Sequence, residues 1–294
     1  MNLIIDDDLM AFMGKQESQY LIKPTDLIAD IRENIYRKDE LIRGQTLPWS
    51  KTTKNIRLRP GEVSLWAGIN GHGKSNLLGQ VTAWGLNTKW LVASMEMPPA
   101  ITVERMIKQV AGTGTPSIEY IEKVVKWMDN NLWLYDQTDS VDSDRILALV
   151  RYASAIGIKH VVIDSLIKCG IAKRDMEGQA RFVDRLCWLA KSHKIHVHLV
   201  HHIRKTDSEL NMPGKFDVRG AGEIVDLVDN IFIVYRNKLK EEKYPNDNSK
   251  PDCILTCAKQ RHFSWEGNYS LYFNKDCGQY VPDHNRVMTH WLNA

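Results

Sequence analysis

The stretch GINGHGKSN, Gly68 to Asn76, separates the apolar run EVSLWAG from the helix-like NLLGQVTAW. Its glycines weaken both strand and helix, so the segment reads as a tight loop between the two. It fits G-x-x-x-x-G-K-[ST] at Gly68, Gly73, Lys74 and Ser75, in the strand–loop–helix setting that this pattern needs to hold phosphate. Glycines let backbone N–H groups converge on phosphate oxygens with no Cβ in the way, and the following helix adds the positive end of its dipole. Gly68, Asn70, Gly71, His72, Gly73, Lys74, Ser75 and Asn76 are therefore the candidate nucleotide cradle. Lys74 is expected to reach the β- and γ-phosphates of ATP, and the Ser75 hydroxyl to ligate Mg²⁺. The alternative is a Gly-rich turn that binds nothing.

Outward from this loop, strand and helix alternate from about residue 56. VSLWAG, WLVASME, LWLYD, HVVIDS and IHVHLVHH are short, apolar and rich in Val and Ile, and helical patterns lie between them. Such runs suit a parallel sheet covered on both faces. After Gly222 the rhythm changes: EIVDLVDN leads to NIFIVYR, CILTCAKQR and NYSLYFN, the last of them with no helix-length connection. The expected fold is α/β, a P-loop NTPase with a mostly parallel central sheet flanked by helices and an antiparallel C-terminal extension. The segment LKEEKYPNDNSKPD, 239–252, reads as a linker-like loop. Residues 1–55 are expected to form a separate N-terminal segment, ahead of one α/β domain at 56–294. Within that segment, Pro24 and Thr25 open a helix expected over about 25–43, with Leu27, Ile31 and Ile35 as a narrow apolar stripe. That helix either folds back on its own domain or docks on another subunit.

Composition narrows the class without naming a partner. The 294 residues are 43% apolar, enough for a generous core, and a net charge of +3 is too small by itself to argue for nucleic acid. No apolar run approaches the ~20 residues of a membrane helix, and the acidic start MNLIIDDDLM lacks the basic region of a signal peptide. A cytosolic protein is expected, with no membrane partner. Five cysteines, without a C-x-x-C pair, point to reduced thiols rather than a disulfide framework or a zinc ribbon.

Two acids complete the phosphate chemistry. Asp164 ends the strand HVVID and is the natural metal partner, although an isolated Asp after an apolar run is more often a cap or turn. Glu96, at the end of WLVASME, is placed to orient and deprotonate a water for in-line attack, the alternative being a surface Glu before a Pro-Pro turn. In IHVHLVHH, His196 and His198 share one strand face, and a structural or sensor role is favoured there over zinc.

Six segments in order, RPGEVSLWAGINGHGKS, SMEMP, VVIDS, HLVHHIRK, DVRGAGEIVDLVDNIFIVYRNK and CAKQRHFSWEGNYSLYFNKDCGQY, resemble the RecA-like motor domain of DnaB-type replicative helicases. The phage primase-helicase and mitochondrial Twinkle branch is the most similar, over about residues 56–283. The resemblance implies an ATP-hydrolysing DNA helicase that translocates on single-stranded DNA, 5′ to 3′, with Glu96 as catalytic base and His202 sensing the γ-phosphate. Arg219 would lead back to the nucleotide. Lys259 and Arg261 would form a basic finger entering the neighbouring subunit's ATP site, so the active form would be a ring, expected to be a hexamer; the plain alternative is a solvated basic strand end. DNA contacts would come from Lys168, Lys173 and Arg174 after one strand and from Arg204, Lys205 and Lys215 after another, although surface loops are commonly basic. A separate primase and DNA polymerase are the implied partners, as for a phage or plasmid replication protein in its host cell. A RecA-like recombinase or an ATP-gated helicase loader is the alternative function.

Overall fold

The computed structural model describes residues 22–36, 44–203, 209–218, 221–262 and 265–292. The chain divides into two compact units, residues 1–42 and 43–294. In the first, a 3₁₀ turn at Pro24–Leu27 runs into helix α1, Ile28–Tyr36. Pro24 fills the first position, where no N–H is needed, and the Asp26 carboxylate accepts from Lys23 N at 3.0 Å. Ile28, Ile31 and Ile35 are exposed along α1. The expected continuation to residue 43 lies outside the described residues.

The second unit is built on a nine-stranded sheet. Strands β1 (Val63–Gly68), β2 (Trp90–Ser94), β3 (Leu132–Leu134), β4 (His160–Asp164), β5 (His196–His202) and β6 (Asn230–Arg236) run parallel, in the order β3-β2-β4-β5-β1-β6. Helix α2 (Lys74–Trp84) follows β1, α3 (Pro99–Ala111) and α4 (Ile118–Asp129) follow β2, α5 (Ser143–Ala155) follows β3, α6 (Met176–His193) follows β4, and α7 (Ala221–Leu227) follows β5. Side chains alternate along a strand, so β1 sends Leu65 and Ala67 into a core covered by α5 and α6, and Trp66 into a core covered by α2, α3 and α4. Both faces are buried, which is why these strands are continuous apolar runs. Helix starts are capped by side chains: Ser117 accepts from Tyr120 N, Asp142 from Asp144 N and Asp175 from Gly178 N.

The expected antiparallel extension is present as β7 (Cys253–Gln260), β8 (Gly267–Phe273) and β9 (Tyr280–Val281), laid successively against β6. The supposed linker at 239–252 differs from expectation. It begins as a short helix, α8 (Lys238–Lys243), whose Lys240 is buried and ion-paired with Asp252. Residues 44–58 close on themselves through a Gln45–Leu58 bridge and join the core of the larger unit through buried Leu47, Trp49, Ile56 and Leu58. All five cysteines are buried and free, and burial pushes the Cys169 thiol up to about 12, which leaves it inert. Among the described residues no helix is long and apolar enough to cross a membrane.

Candidate nucleotide-binding and catalytic site

Because β2, β4, β5 and β1 are parallel neighbours, their C-terminal ends share one edge, with Gly68 paired to His202 and Ser94 to Asp164. The loop that leaves β1 turns there, with Gly71 and Gly73 at φ of +79° and +85°. A Cβ on Gly68 would lie 2.5 Å from the Val234 carbonyl oxygen, and one on Gly73 would lie 2.2 Å from the Tyr280 hydroxyl, so both glycines are required by close approach. The Lys74 ammonium folds back on the carbonyls of Gly68 and Ile69, at 2.9 and 3.0 Å. Burial draws its pKa down to about 8, against the opposing pull of Asp164 and Glu96. Asn76 plays a structural part: its amide donates to Gly278 O at 2.8 Å, tying α2 to the C-terminal strands. Asn70 and Gly71 are exposed at the loop tip, and His72 is buried, its Nδ1 accepting from Arg236 N at 3.2 Å.

Beside the loop, the Ser75 hydroxyl donates to Asp164 Oδ2 at 2.5 Å. Burial raises the Asp164 carboxyl pKa, while the Ser75 bond opposes that rise. The buried Ser94 hydroxyl, which has no hydrogen-bond partner among the described residues, lines the same small recess as Ser75 and Asp164. Two hydroxyls and one carboxylate are hard oxygen donors, and Mg²⁺ takes one or two such protein ligands with phosphate and water supplying the rest. These residues therefore fit a metal that arrives with a nucleotide. Among the described residues there is no group of three or more His, Cys, Asp or Glu suited to holding a metal alone.

Glu96 lies two residues beyond β2 and faces the same edge. Its Oε1 accepts from the Ser165 hydroxyl at 2.8 Å and stands 3.6 Å from His202 Nε2. His202, then Ser165 and Lys74, hold its carboxyl down to about 2 despite partial burial, so it is ionised throughout the neutral range. A charged, half-open carboxylate next to a lysine and a metal-type acid can orient a water toward a terminal phosphate. Thus Lys74, Ser75, Glu96, Asp164 and His202 come together at one edge of the sheet.

A cavity of about 740 Å³ opens on the other side of the loop, against Gly71, His72 and Gly73. Arg236, Phe273 and Tyr280 line it, with the Phe273 and Tyr280 rings 5.0 Å apart. Phe273 has no counterpart in the sequence reading, and neither do Lys240, Asp252 and Arg286, which form an ion cluster on the wall. Their only signal was polarity, in a stretch that resembles a loop. The Tyr235 hydroxyl donates to Glu209 O and Leu210 O and so anchors the loop that follows β5 to β6.

The other histidines of β5 are built into the core. Trp66 Nε1 can only donate, so His198 Nδ1 accepts from it at 3.2 Å and the opposite nitrogen faces His160 Nδ1 at 3.2 Å. His196 Nδ1 donates to Arg59 O at 2.6 Å, leaving Nε2 to accept from Ser64 at 2.8 Å. Trp90 stacks on His160 with ring centroids 4.2 Å apart.

Lys259 and Arg261 lie at the opposite edge of the sheet. Lys259 pairs with Ile231 near the start of β6, which is level with the beginning of β1 rather than with the loop at its end. Both cations point the same way, into the C-terminal carbonyls of α7. Of the expected DNA-contacting residues, Lys168 is half-buried in a turn after β4, Lys173 and Arg174 are exposed, and Lys215 stands 3.8 Å from Glu266. Arg204, Lys205 and Arg219 lie outside the described residues.

A doubly covered parallel sheet with a phosphate loop at its central strand defines a P-loop nucleotide-binding protein. The chain belongs to the AAA domain family, whose match covers residues 52–208, more than half its length. It is 22% identical over 256 residues, 78% of its length, to the DNA helicase/primase of Enterobacteria phage T3. The chain spans 44% of that curated relative. In fold it is similar to a solved ATPase domain, at TM-score 0.76 and 18% identity, covering 88% of this chain and 98% of that one. A DnaB-like replicative helicase, solved in a study of its interactions with primase, superposes at TM-score 0.75 and 18% identity, covering 94% of this chain and 73% of that one. The RecA-like architecture and the resemblance to DnaB-type motor domains are thereby borne out.

Proposed function

We propose that this chain is the motor of an ATP-dependent replicative DNA helicase, translocating on single-stranded DNA, 5′ to 3′, as a hexameric ring with ATP sites between subunits. Lys74 and the loop N–H groups bind the β- and γ-phosphates, and Ser75 and Asp164 hold Mg²⁺. Mg²⁺ held there would supply charge neutralisation at the phosphates. Glu96 orients and deprotonates the attacking water, while His202, beside it, registers whether a γ-phosphate is present. The base sits between Arg236 and Phe273 in the adjoining cavity. Arg219, with Lys168, Lys173, Arg174, Arg204, Lys205 and Lys215 on the DNA side, completes the set expected from the resemblance. The N-terminal segment joins subunits through the exposed Ile28, Ile31 and Ile35 of α1, and a primase and a DNA polymerase are the expected partners.

One observation carries the shared-site reading. Lys259 and Arg261 stand at the sheet edge away from their own phosphate loop, so within one chain they cannot reach its γ-phosphate, while a neighbour stacked edge to edge could receive them. Transition-state charge compensation of this kind is worth about 10³–10⁵ in rate. The test is ATP turnover with and without single-stranded DNA, beside strand displacement on a forked duplex. DNA-stimulated turnover with displacement is expected; stimulated turnover without displacement contradicts the helicase assignment.

A further inference from the structure

At the edge of the sheet remote from the phosphate loop, Asp229 occupies the corner between α7 and β6. Its side chain is buried, with Oδ2 accepting from Val63 N at 2.9 Å. Its carbonyl accepts from Arg261 N at 2.9 Å, and its Oδ1 stands 3.3 Å from Arg261 Nε. The same guanidinium donates from Nη2 to Asp226 O and Leu227 O, at 3.0 and 3.3 Å. Lys259 Nζ donates to Val225 O, Asp226 O and Val228 O, at 2.6, 3.1 and 2.8 Å. The last carbonyls of a helix lack intrahelical partners and carry partial negative charge, so two cations there are both held and aimed. Arg261 remains 46% exposed although Nε and Nη2 of its guanidinium are engaged.

We propose that Asp229, together with the carbonyl end of α7, is the seat that positions the Lys259 and Arg261 finger and ties it to the DNA-side loop that leads into α7. The inference rests on the finger reading given above. The loop at 209–218 is pinned by the Ile203–Val218 bridge and by the Tyr235 hydroxyl, and the chain then runs into α7. A shift of α7 therefore displaces the carbonyls that hold both cations, giving a continuous path of contacts from the loop to the finger. Asp229 lies at the sheet edge away from the phosphate loop and acts as a positioning residue through Arg261.

Asp229→Asn keeps an acceptor for Val63 N and removes the charge facing Arg261. Misplacement by about 1 Å costs up to ~10²-fold, so DNA-stimulated kcat is expected to fall about ten- to a hundredfold with KM for ATP unchanged. The deciding readout is subunit mixing. A seat defect must be rescued by Glu96→Gln subunits, which supply an intact finger, and must not be rescued by Arg261→Ala subunits, which supply only an intact acid. Any other pattern, or turnover equal to the parent, overturns the proposal. Should Arg261→Ala itself show no rescue by Glu96→Gln, the finger reading fails first and the seat fails with it. Asp229→Ser, which keeps a hydroxyl acceptor for Val63 N, gives the same comparison if melting shows that the Asn variant is poorly folded.

Discussion

Strand β5 carries the same residue type to two fates. His196 and His198 sit in its buried stretch, every pairing internal, with Trp66, Trp90 and Ser64 as neighbours. His202, on the same face at the strand's end, is 20% exposed and looks at Glu96 across 3.6 Å. What differs is the position along the strand. In a parallel sheet the interior is sealed by helices on both faces, and only the C-terminal edge leaves side chains open to a ligand. The edge is built for chemistry and the interior for stability, so changes at each should separate turnover from folding.

The largest effect is expected at the edge. Glu96→Gln keeps the shape of the side chain and removes the base, so turnover should drop by about 10²–10⁴ while nucleotide binding persists. Normal hydrolysis by that variant, in a phosphate-release assay, would break the distinction between edge and interior.

The interior should answer instead to acid. Burial holds the His196 imidazole down at about 4 and also lowers His160 and His198. In the unfolded chain these groups protonate near 6.5. Folded-state pKa values below unfolded ones mean that stability is fully present above pH 6.5 and is lost as pH falls toward 4. His196 alone accounts for roughly 3 kcal/mol at full effect. Chemical denaturation at pH 7 and pH 4.5 measures the loss, and an unchanged midpoint would show that the histidine cluster is not held neutral.

Smaller still is the response of Lys74. Its ammonium, at about 8 in the free site, is regained when a phosphate arrives, so binding above pH 8 takes up a proton. Affinity for ATP should weaken about tenfold between pH 7 and pH 9, with proton uptake visible by calorimetry in buffers of different ionisation enthalpy. Affinity independent of pH over that range would place the lysine away from the phosphates.

Much of the edge was legible in sequence because it is written in short, local patterns. The phosphate loop needs glycines at Gly68 and Gly73 for steric reasons that any chain must meet, and Asp164 and Glu96 follow apolar runs whose ends are visible. Strand and helix spans could be read for the same reason: both faces of the sheet are buried, so strands are runs and helices are periodic. The cavity beside the phosphate loop was only partly legible, since edge-strand position pointed to Arg236 and Tyr280 but not to the rest. It is assembled from Arg236 on β6, Phe273 on β8, Tyr280 on β9 and the Lys240–Asp252–Arg286 cluster, which only tertiary pairing brings together. Helix α8 is six residues long, too short for periodicity to stand out against its polar, proline-containing surroundings. The seat at Asp229 was hidden likewise, since the groups beside it that hold Lys259 and Arg261 are backbone carbonyls, which carry no residue signature.

The central claim, that acid and cations at one ATP site come from different chains, is tested most directly by mixing two inactive variants, Glu96→Gln and Arg261→Ala. Their mixed assemblies contain interfaces with Glu96 from one subunit and Arg261 from the other, so DNA-stimulated ATP turnover should reappear and peak at intermediate ratios. If turnover stays at the level of the separate variants at every ratio, while mass measurement shows that the mixed assemblies form, acid and cation do not meet across a subunit boundary.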